Sequence, residues 1–180
     1  KCICGIVLTA SHNPPEYNGY KVYWKDGGQI VPPVDKKLID EINSVKFTEI
    51  SFKRNNSLVN LIDTQIDTDF IHDSISIGKI GVSKREDYRI VFTPIHGTSY
   101  KILPEVLNGA GFKNLHIVKE QAVPDGNFNT VKSPNPEEPE ALSMAIDLAK
   151  AVNADIVIGT DPDADRVGLA VKNNKNEYSL

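Results

Sequence analysis

The sequence predicts an α/β protein: a doubly wound, mostly parallel sheet in a three-layer α/β/α domain, preceded by the C-terminal part of a similar α/β domain. Three observations predict it. From Tyr88 onward, short apolar runs alternate with longer amphipathic stretches, the pattern of strands joined by crossover helices. Clusters of polar residues follow three of the apolar runs, at residues 9–13, 94–98 and 161–166, where open α/β sheets bind ligands. A chain of 180 residues that is 40% hydrophobic and 24% charged has the composition of a folded domain with a real core.

Residues 3–10 form an apolar run, read as a buried strand, which breaks into the Pro-rich loop Ser11-His12-Asn13-Pro14-Pro15. Residues 19–24 alternate, with Tyr20, Val22 and Trp24 on one face and Lys21 and Tyr23 on the other, and read as a second strand. After the turn Asp26-Gly27-Gly28, Asp35 is read as the cap of a helix running to Asn43, with Leu38, Ile39 and Ile42 on one side. Residues 53–64 are polar and read as a linker, and a helix is expected from Thr68 to Lys79. A strand over 89–93 leads to a helix over 99–110 with Ile102, Leu103, Val106 and Leu107 inward. Pro104 is expected in or near its first turn, and Gly111 ends it. Residues 115–118 are the next strand. A Pro/Asn/Asp-rich loop over 123–136 precedes a helix over 139–152, with Glu at its start and Lys150 near its end. Strands are expected over 155–159 and 167–171. The boundaries predicted are residues 1–64 for the partial first domain with linker and 65–180 for the second.

The composition narrows the function classes. A net charge of -4 argues against sequence-independent nucleic-acid binding, and no apolar run reaches the ~20 residues of a membrane span. The N-terminal residues do not read as a secretion signal, and without an initiating Met the chain reads as a piece of something longer. Cys2 and Cys4 are the only cysteines; they read as half-buried residues in a reducing cytosol, so a cytoplasmic location is expected. Asn55-Asn56-Ser57 matches a glycosylation acceptor by chance.

Asp161-Pro162-Asp163-Ala164-Asp165-Arg166 puts three carboxylates at i, i+2 and i+4. Such a loop can converge on one hard cation, and oxygen-only ligation with few protein ligands suits Mg²⁺. Arg166 offers a planar fork for a phosphate at that cation. An EF-hand would need Gly and Glu where Arg166 and Lys172 stand. An Asp-nucleophile phosphatase would normally have Thr or Val where Asp165 stands. The alternative is a solvated Asp-rich turn, made costly by repulsion among its carboxylates. In Thr9-Ala10-Ser11-His12-Asn13-Pro14, Ser11 can be a nucleophile or phosphate carrier beside His12. The competing reading is an Asn-Pro turn capped by Ser. The Gly-x-Ser-x-Gly elbow of acyl hydrolases is absent. Lys21 could lie beside this loop.

Together these stretches resemble the α-D-phosphohexomutase superfamily, which includes phosphoglucomutases, phosphomannomutases and phosphoglucosamine mutases. Thr9-Ala10-Ser11-His12-Asn13-Pro14 resembles its phosphoserine loop, and Asn18-Gly19-Tyr20-Lys21 the Asn-Gly-x-Lys that follows. Thr93-Pro94-Ile95-His96-Gly97-Thr98 resembles the opening of its second domain, and Pro124-Asp125-Gly126-Asn127-Phe128 with Asn135-Pro136-Glu137 the loop before that domain's second helix. Asp161 to Arg166 resembles its metal loop. The resemblance implies a phosphosugar mutase that moves a phosphoryl group between O1 and O6 of a hexose phosphate through a phosphoserine and a bisphosphorylated sugar, glucose phosphates first, with phosphomannomutase or phosphopentomutase activity as variants. It implies Ser11 as phosphate carrier, Asp161, Asp163 and Asp165 as Mg²⁺ ligands with the Ser11 phosphate, and Arg166 and Asn13 as phosphate contacts. His12 and Lys21 are left as unranked candidates for proton handling. Of four family domains, the third, which selects the sugar, and the fourth, which clamps its phosphate, are missing, so this stretch alone is expected to be inactive. The alternative is a non-catalytic module that binds Mg²⁺ or a sugar phosphate.

Overall fold

The computed structural model describes residues 2–62, 64–78 and 84–180. Two compact units emerge: Lys1–Thr9 with Asn18–Ile62, and Ala10–Tyr17 with Asp63–Leu180. The Ser11 loop therefore groups with the second unit although its flanking strands belong to the first.

In the first unit, β1 (Gly5–Leu8) and β2 (Tyr20–Tyr23) pair antiparallel, with Gly5 opposite Tyr23 and Leu8 opposite Tyr20. The turn at Gly27 (φ 83°) then brings Gln29 back to Tyr23. Helix α1 (Val34–Ser44) follows. Two expectations fail here. β1 is not a buried strand: Ile6 is 63% and Leu8 80% exposed, because the pairing with β2 satisfies its backbone while nothing in the unit covers its side chains. Asp35 is not the cap of α1; Pro33 holds that position and Asp35 lies in the first turn, where its charge suits the helix dipole. Cys2 and Cys4 are exposed free thiols rather than half-buried.

The second unit holds a five-stranded sheet in the order β4-β3-β5-β6-β7, formed by β3 (Arg89–Thr93), β4 (Asn114–Ile117), β5 (Ile156–Thr160), β6 (Val167–Lys172) and β7 (Tyr178–Ser179). β4, β3 and β5 are parallel, the mainly parallel centre the sequence predicts. β6 and the short, unforeseen β7 are antiparallel. The reason is loop length: only residues 161–166 separate β5 from β6, too few for a parallel crossover.

Helix α2 is Thr64–Ile77, earlier than its predicted start; its predicted end at Lys79 lies outside the described residues. It packs on α3 (Ser99–Gly109), where a Cβ on Gly109 would collide with Ile75 Cδ1. Pro104 lies just past the first turn of α3, near its start as expected, and Gly111 (φ 100°) follows its end. Helix α4 (Ser143–Val152) starts later than expected because residues 135–143 run as successive tight turns, Glu138 N–H to Asn135 O, Ala141 N–H to Glu138 O and Ser143 N–H to Glu140 O.

The core lies between the sheet and α4: Val91, Val157 and Ala170 meet Ala145 and Ala149, all fully buried. Small residues on α4 let the helix approach the strands closely. β4 and β5 lie on opposite sides of β3, so right-handed crossovers put α3 and α4 on opposite faces. Ser99 at the start of α3 reaches Thr160 at the end of β5 through a 2.6 Å hydroxyl–hydroxyl bond. The chain thus reverses its winding between β3 and β5, and a crevice opens beyond their carboxyl ends. Among the described residues, no helix is long and apolar enough to cross a membrane.

Candidate active site

Two loops meet beyond that switch point. The loop after β3 carries Pro94, Ile95, His96 and Gly97; the loop after β5 carries Asp161 to Arg166. Thr98 donates to the Pro162 carbonyl through its N–H (2.9 Å) and its hydroxyl (3.1 Å). Gly97 is required at this junction: a Cβ would collide with Pro162 Cα, 2.7 Å from the Pro162 oxygen and 2.8 Å from the Pro94 oxygen.

The Asp loop is a tight hairpin connection. Ala164 takes a left-handed φ of 62° and its N–H returns to the Asp161 carbonyl at 3.0 Å. This turn gathers Asp161, Asp163 and Asp165 so that one oxygen of each lies within 4.8 Å of the others. Asp161 is fully buried, Asp163 half-buried and Asp165 exposed. Burial pushes the Asp161 carboxyl up from its ordinary 3.8 to about 6; the Arg166 N–H, 2.9 Å from Oδ1, opposes this, while Asp163 and Asp165 add to it. A buried carboxylate beside two others is poorly placed without a cation. Three hard oxygen donors, with room left by the exposed side of the loop, fit a divalent ion such as Mg²⁺.

Ser11 is brought to the same place from the other end of the chain. Its backbone is left-handed (φ 54°), and Asn13 N–H closes the turn onto the Ala10 carbonyl at 3.1 Å. The Ser11 hydroxyl lies 3.2 Å from Asp161 Oδ2, 3.3 Å from Asp163 Oδ1 and 3.3 Å from His12 Nδ1. One hydroxyl hydrogen cannot serve both carboxylates at once, while the imidazole can donate or accept according to its tautomer.

The Arg166 guanidinium pairs with Glu137 Oε1 at 3.2 Å, with both groups partly exposed. Sequence reasoning missed Glu137 as a site residue, although Asn135-Pro136-Glu137 was among the singled-out motifs. It also missed His96, Thr93, Gln121 and Thr130, which hydrogen-bond behind the β3 loop. The Asn13 side chain is exposed at the loop surface. Lys21 belongs to the other unit, on β2 opposite Val7.

Residues 68–175 match the family model of the phosphoglucomutase/phosphomannomutase α/β/α domain II, and residues 1–49 that of domain I. A probable phosphomannomutase of Haemophilus influenzae is 42% identical over 178 residues, 97% of this chain and 36% of the relative. A phosphoglucomutase of Staphylococcus aureus is 39% identical over 170 residues, 92% of this chain and 30% of the relative. The crystal structure of a phosphoglucomutase/phosphomannomutase family protein from Burkholderia thailandensis shares the fold with a TM-score of 0.72 at 24% identity, over 97% of this chain and 34% of that one. The chain spans about a third of the length of these relatives. With the Ser11 loop, the Asp loop and the switch-point strands β3 and β5 inside the matched segments, the chain belongs to the phosphoglucomutase/phosphomannomutase family.

Proposed function

We propose that this chain is the phosphoserine- and cation-bearing part of a phosphohexomutase, comprising the end of domain I and essentially all of domain II. The observation that carries the proposal is the approach of Ser11 Oγ to Asp161 and Asp163 across 150 positions of sequence. A bland Asn-Pro turn and an independent acidic turn would have no reason to meet.

In this reading Ser11 rests as a phosphoserine and gives its phosphoryl group to one hydroxyl of a hexose phosphate. The serine oxygen keeps the electrons of the broken O–P bond, and the sugar becomes bisphosphorylated. The sugar then turns over and its other phosphate returns to Ser11, so phosphate is conserved and the net change is between O1 and O6. Such transfers depend on positioning and charge neutralisation more than on covalent chemistry. Mg²⁺ held by Asp161, Asp163 and Asp165 would neutralise charge on the transferring group. In this reading Arg166, paired with Glu137, would hold an anionic oxygen, and the 3.3 Å contact between His12 Nδ1 and the serine hydroxyl supports His12 as the group that takes or returns a proton there. Glucose phosphates are the first expectation for substrate, with mannose phosphates supported by the names of relatives. A cytoplasmic setting and inactivity of these 180 residues alone go with this reading, since sugar selection falls to parts of the relatives beyond the matched segments.

Intact-mass analysis of the complete protein tests it. The wild type should carry a phosphate-sized increment that is lost on incubation with excess unphosphorylated sugar. Ser11→Ala should lack both the increment and mutase activity. Comparable activity in Ser11→Ala would refute the phosphoserine route, and conversion of glucose 1-phosphate by the 180-residue chain above that control would refute its inactivity.

A further inference from the structure

Behind the β3 loop lies a hydrogen-bond relay in which every donor can be assigned. Ile95 N–H donates to Thr93 Oγ1 at 3.1 Å, so the Thr93 hydroxyl hydrogen is left for Gln121 Oε1 at 2.6 Å. That fixes the orientation of the Gln121 amide, whose Nε2 donates to Thr130 Oγ1 at 3.0 Å. That leaves the Thr130 hydroxyl hydrogen available to His96 Nε2, 2.8 Å away. At the other ring nitrogen, His96 Nδ1 lies 3.0 Å from the Val123 carbonyl, which can only accept. Nδ1 therefore carries the hydrogen and Nε2 the lone pair. Thr93 and Gln121 are fully buried, His96 is 6% exposed and Thr130 is half-buried. Asp125, a carboxylate that interacts electrostatically with the ring, accepts from Asn127 N–H, Asn127 Nδ2 and Asn129 Nδ2.

The relay sits on a strained piece of backbone. Ile95 (φ 44°) and His96 (φ 59°) are consecutive non-glycine residues in the left-handed region, a conformation that persists only where its surroundings impose it. Here they do: Ile95 is sealed against Ala141 and Leu142, and His96 N–H is tied to the Gln121 carbonyl at 2.9 Å. The next two residues, Gly97 and Thr98, are those that seat Pro162 of the Asp loop.

We propose that His96 is a positioning residue: a neutral imidazole protonated on Nδ1, frozen by the Thr93–Gln121–Thr130 relay, that latches the strained turn and so sets the Asp161–Asp165 loop for its cation. This rests on the reading of that loop as a cation site. The test uses the complete protein. Long-range ¹H–¹⁵N correlation spectra at neutral pH should show His96 protonated on Nδ1 and bare on Nε2. Thr130→Val keeps the shape but removes the hydroxyl feeding Nε2; it should shift the His96 resonances and weaken Mg²⁺ affinity in calorimetry about 10-fold, the lower end for outer-shell support of a metal site. His96→Ala should weaken it at least as much, and His96→Asn, whose amide can still reach the Val123 carbonyl, should recover part of the loss. An Nε2–H tautomer or an imidazolium at His96 overturns the proposal, as does unchanged Mg²⁺ affinity in both Thr130→Val and His96→Ala. Absence of saturable Mg²⁺ binding by the wild type sinks the cation reading, and the positioning role with it, while the Nδ1–H assignment still stands or falls on the spectrum.

Discussion

Replacing Asp161 by Asn should stabilise the metal-free protein while abolishing its affinity for a divalent cation. Asp161 is fully buried and its carboxyl is pushed up from 3.8 to about 6, first by desolvation. The folded state therefore holds a proton that the unfolded chain releases across that interval, so stability is greatest below the interval, falls as pH rises through it, and stays low above pH 6. A displacement of about 2 units corresponds to a cost of up to about 3 kcal/mol at pH 7.5. Asn removes that charge with little change of shape. Its Oδ1 can still accept from Arg166 N–H, and its Nδ2 can donate to Ser11 Oγ where Asp161 Oδ2 now accepts. Denaturant unfolding in EDTA from pH 4 to 8, wild type beside Asp161→Asn, reads the effect of Asp161 with its coupling to Asp163 and Asp165, because titrating groups remote from the loop cancel in the difference. The variant should gain on the wild type as pH rises from 4 to 6 and keep a plateau of up to about 3 kcal/mol. Added Mg²⁺ should then raise the wild type alone, by mass action. A variant less stable than the wild type at pH 7.5 without metal, or a difference independent of pH, would refute the reasoning.

Gly97→Ala should cost about 1–3 kcal/mol, as an overpacked site whose obstruction is backbone rather than a flexible side chain. It should also weaken Mg²⁺ binding by displacing Pro162; wild-type stability in urea would show that the junction yields. Leu142→Ala should cost about 2–5 kcal/mol in the same assay, because Leu142 is fully buried and fills the space that a Cβ on Gly159 would take. A loss below about 1 kcal/mol would mean that the core collapses around the gap.

The parallel strands were legible because β3 and β5 are apolar runs bounded by polar loops, and the Ser11 and Asp loops because carboxylates and an isolated serine at strand ends are odd enough to notice. The burial of β1 was not. Ile6-Val7-Leu8 states what a strand would hide, but exposure depends on whether another layer covers it, which is a property of the assembled unit. The glutamates at 137, 138 and 140 read as the first turn of a helix, but the backbone there closes i to i−3 turns. The Arg166–Glu137 pair was hidden for another reason: its partners are 29 positions apart and meet only once the sheet is built. Thr93 and His96 lie in a strand-end motif that the sequence shows, but their relay partners Gln121 and Thr130 are ordinary residues until their donors are counted.

The 150-position span between Ser11 and Asp161 also has a consequence in time. At ~5–20 residues per second, synthesis takes roughly 8–30 s to travel from one to the other. Through that interval the nascent chain carries Ser11 with no carboxylate partner, long enough for local structure to form many times over, since hairpins and helices form within microseconds. The left-handed turn at Ser11 must therefore wait for the last parallel strand and its loop before the contacts seen here can hold it. The order of synthesis itself therefore separates the making of the Ser11 loop from the making of the carboxylate loop that meets it.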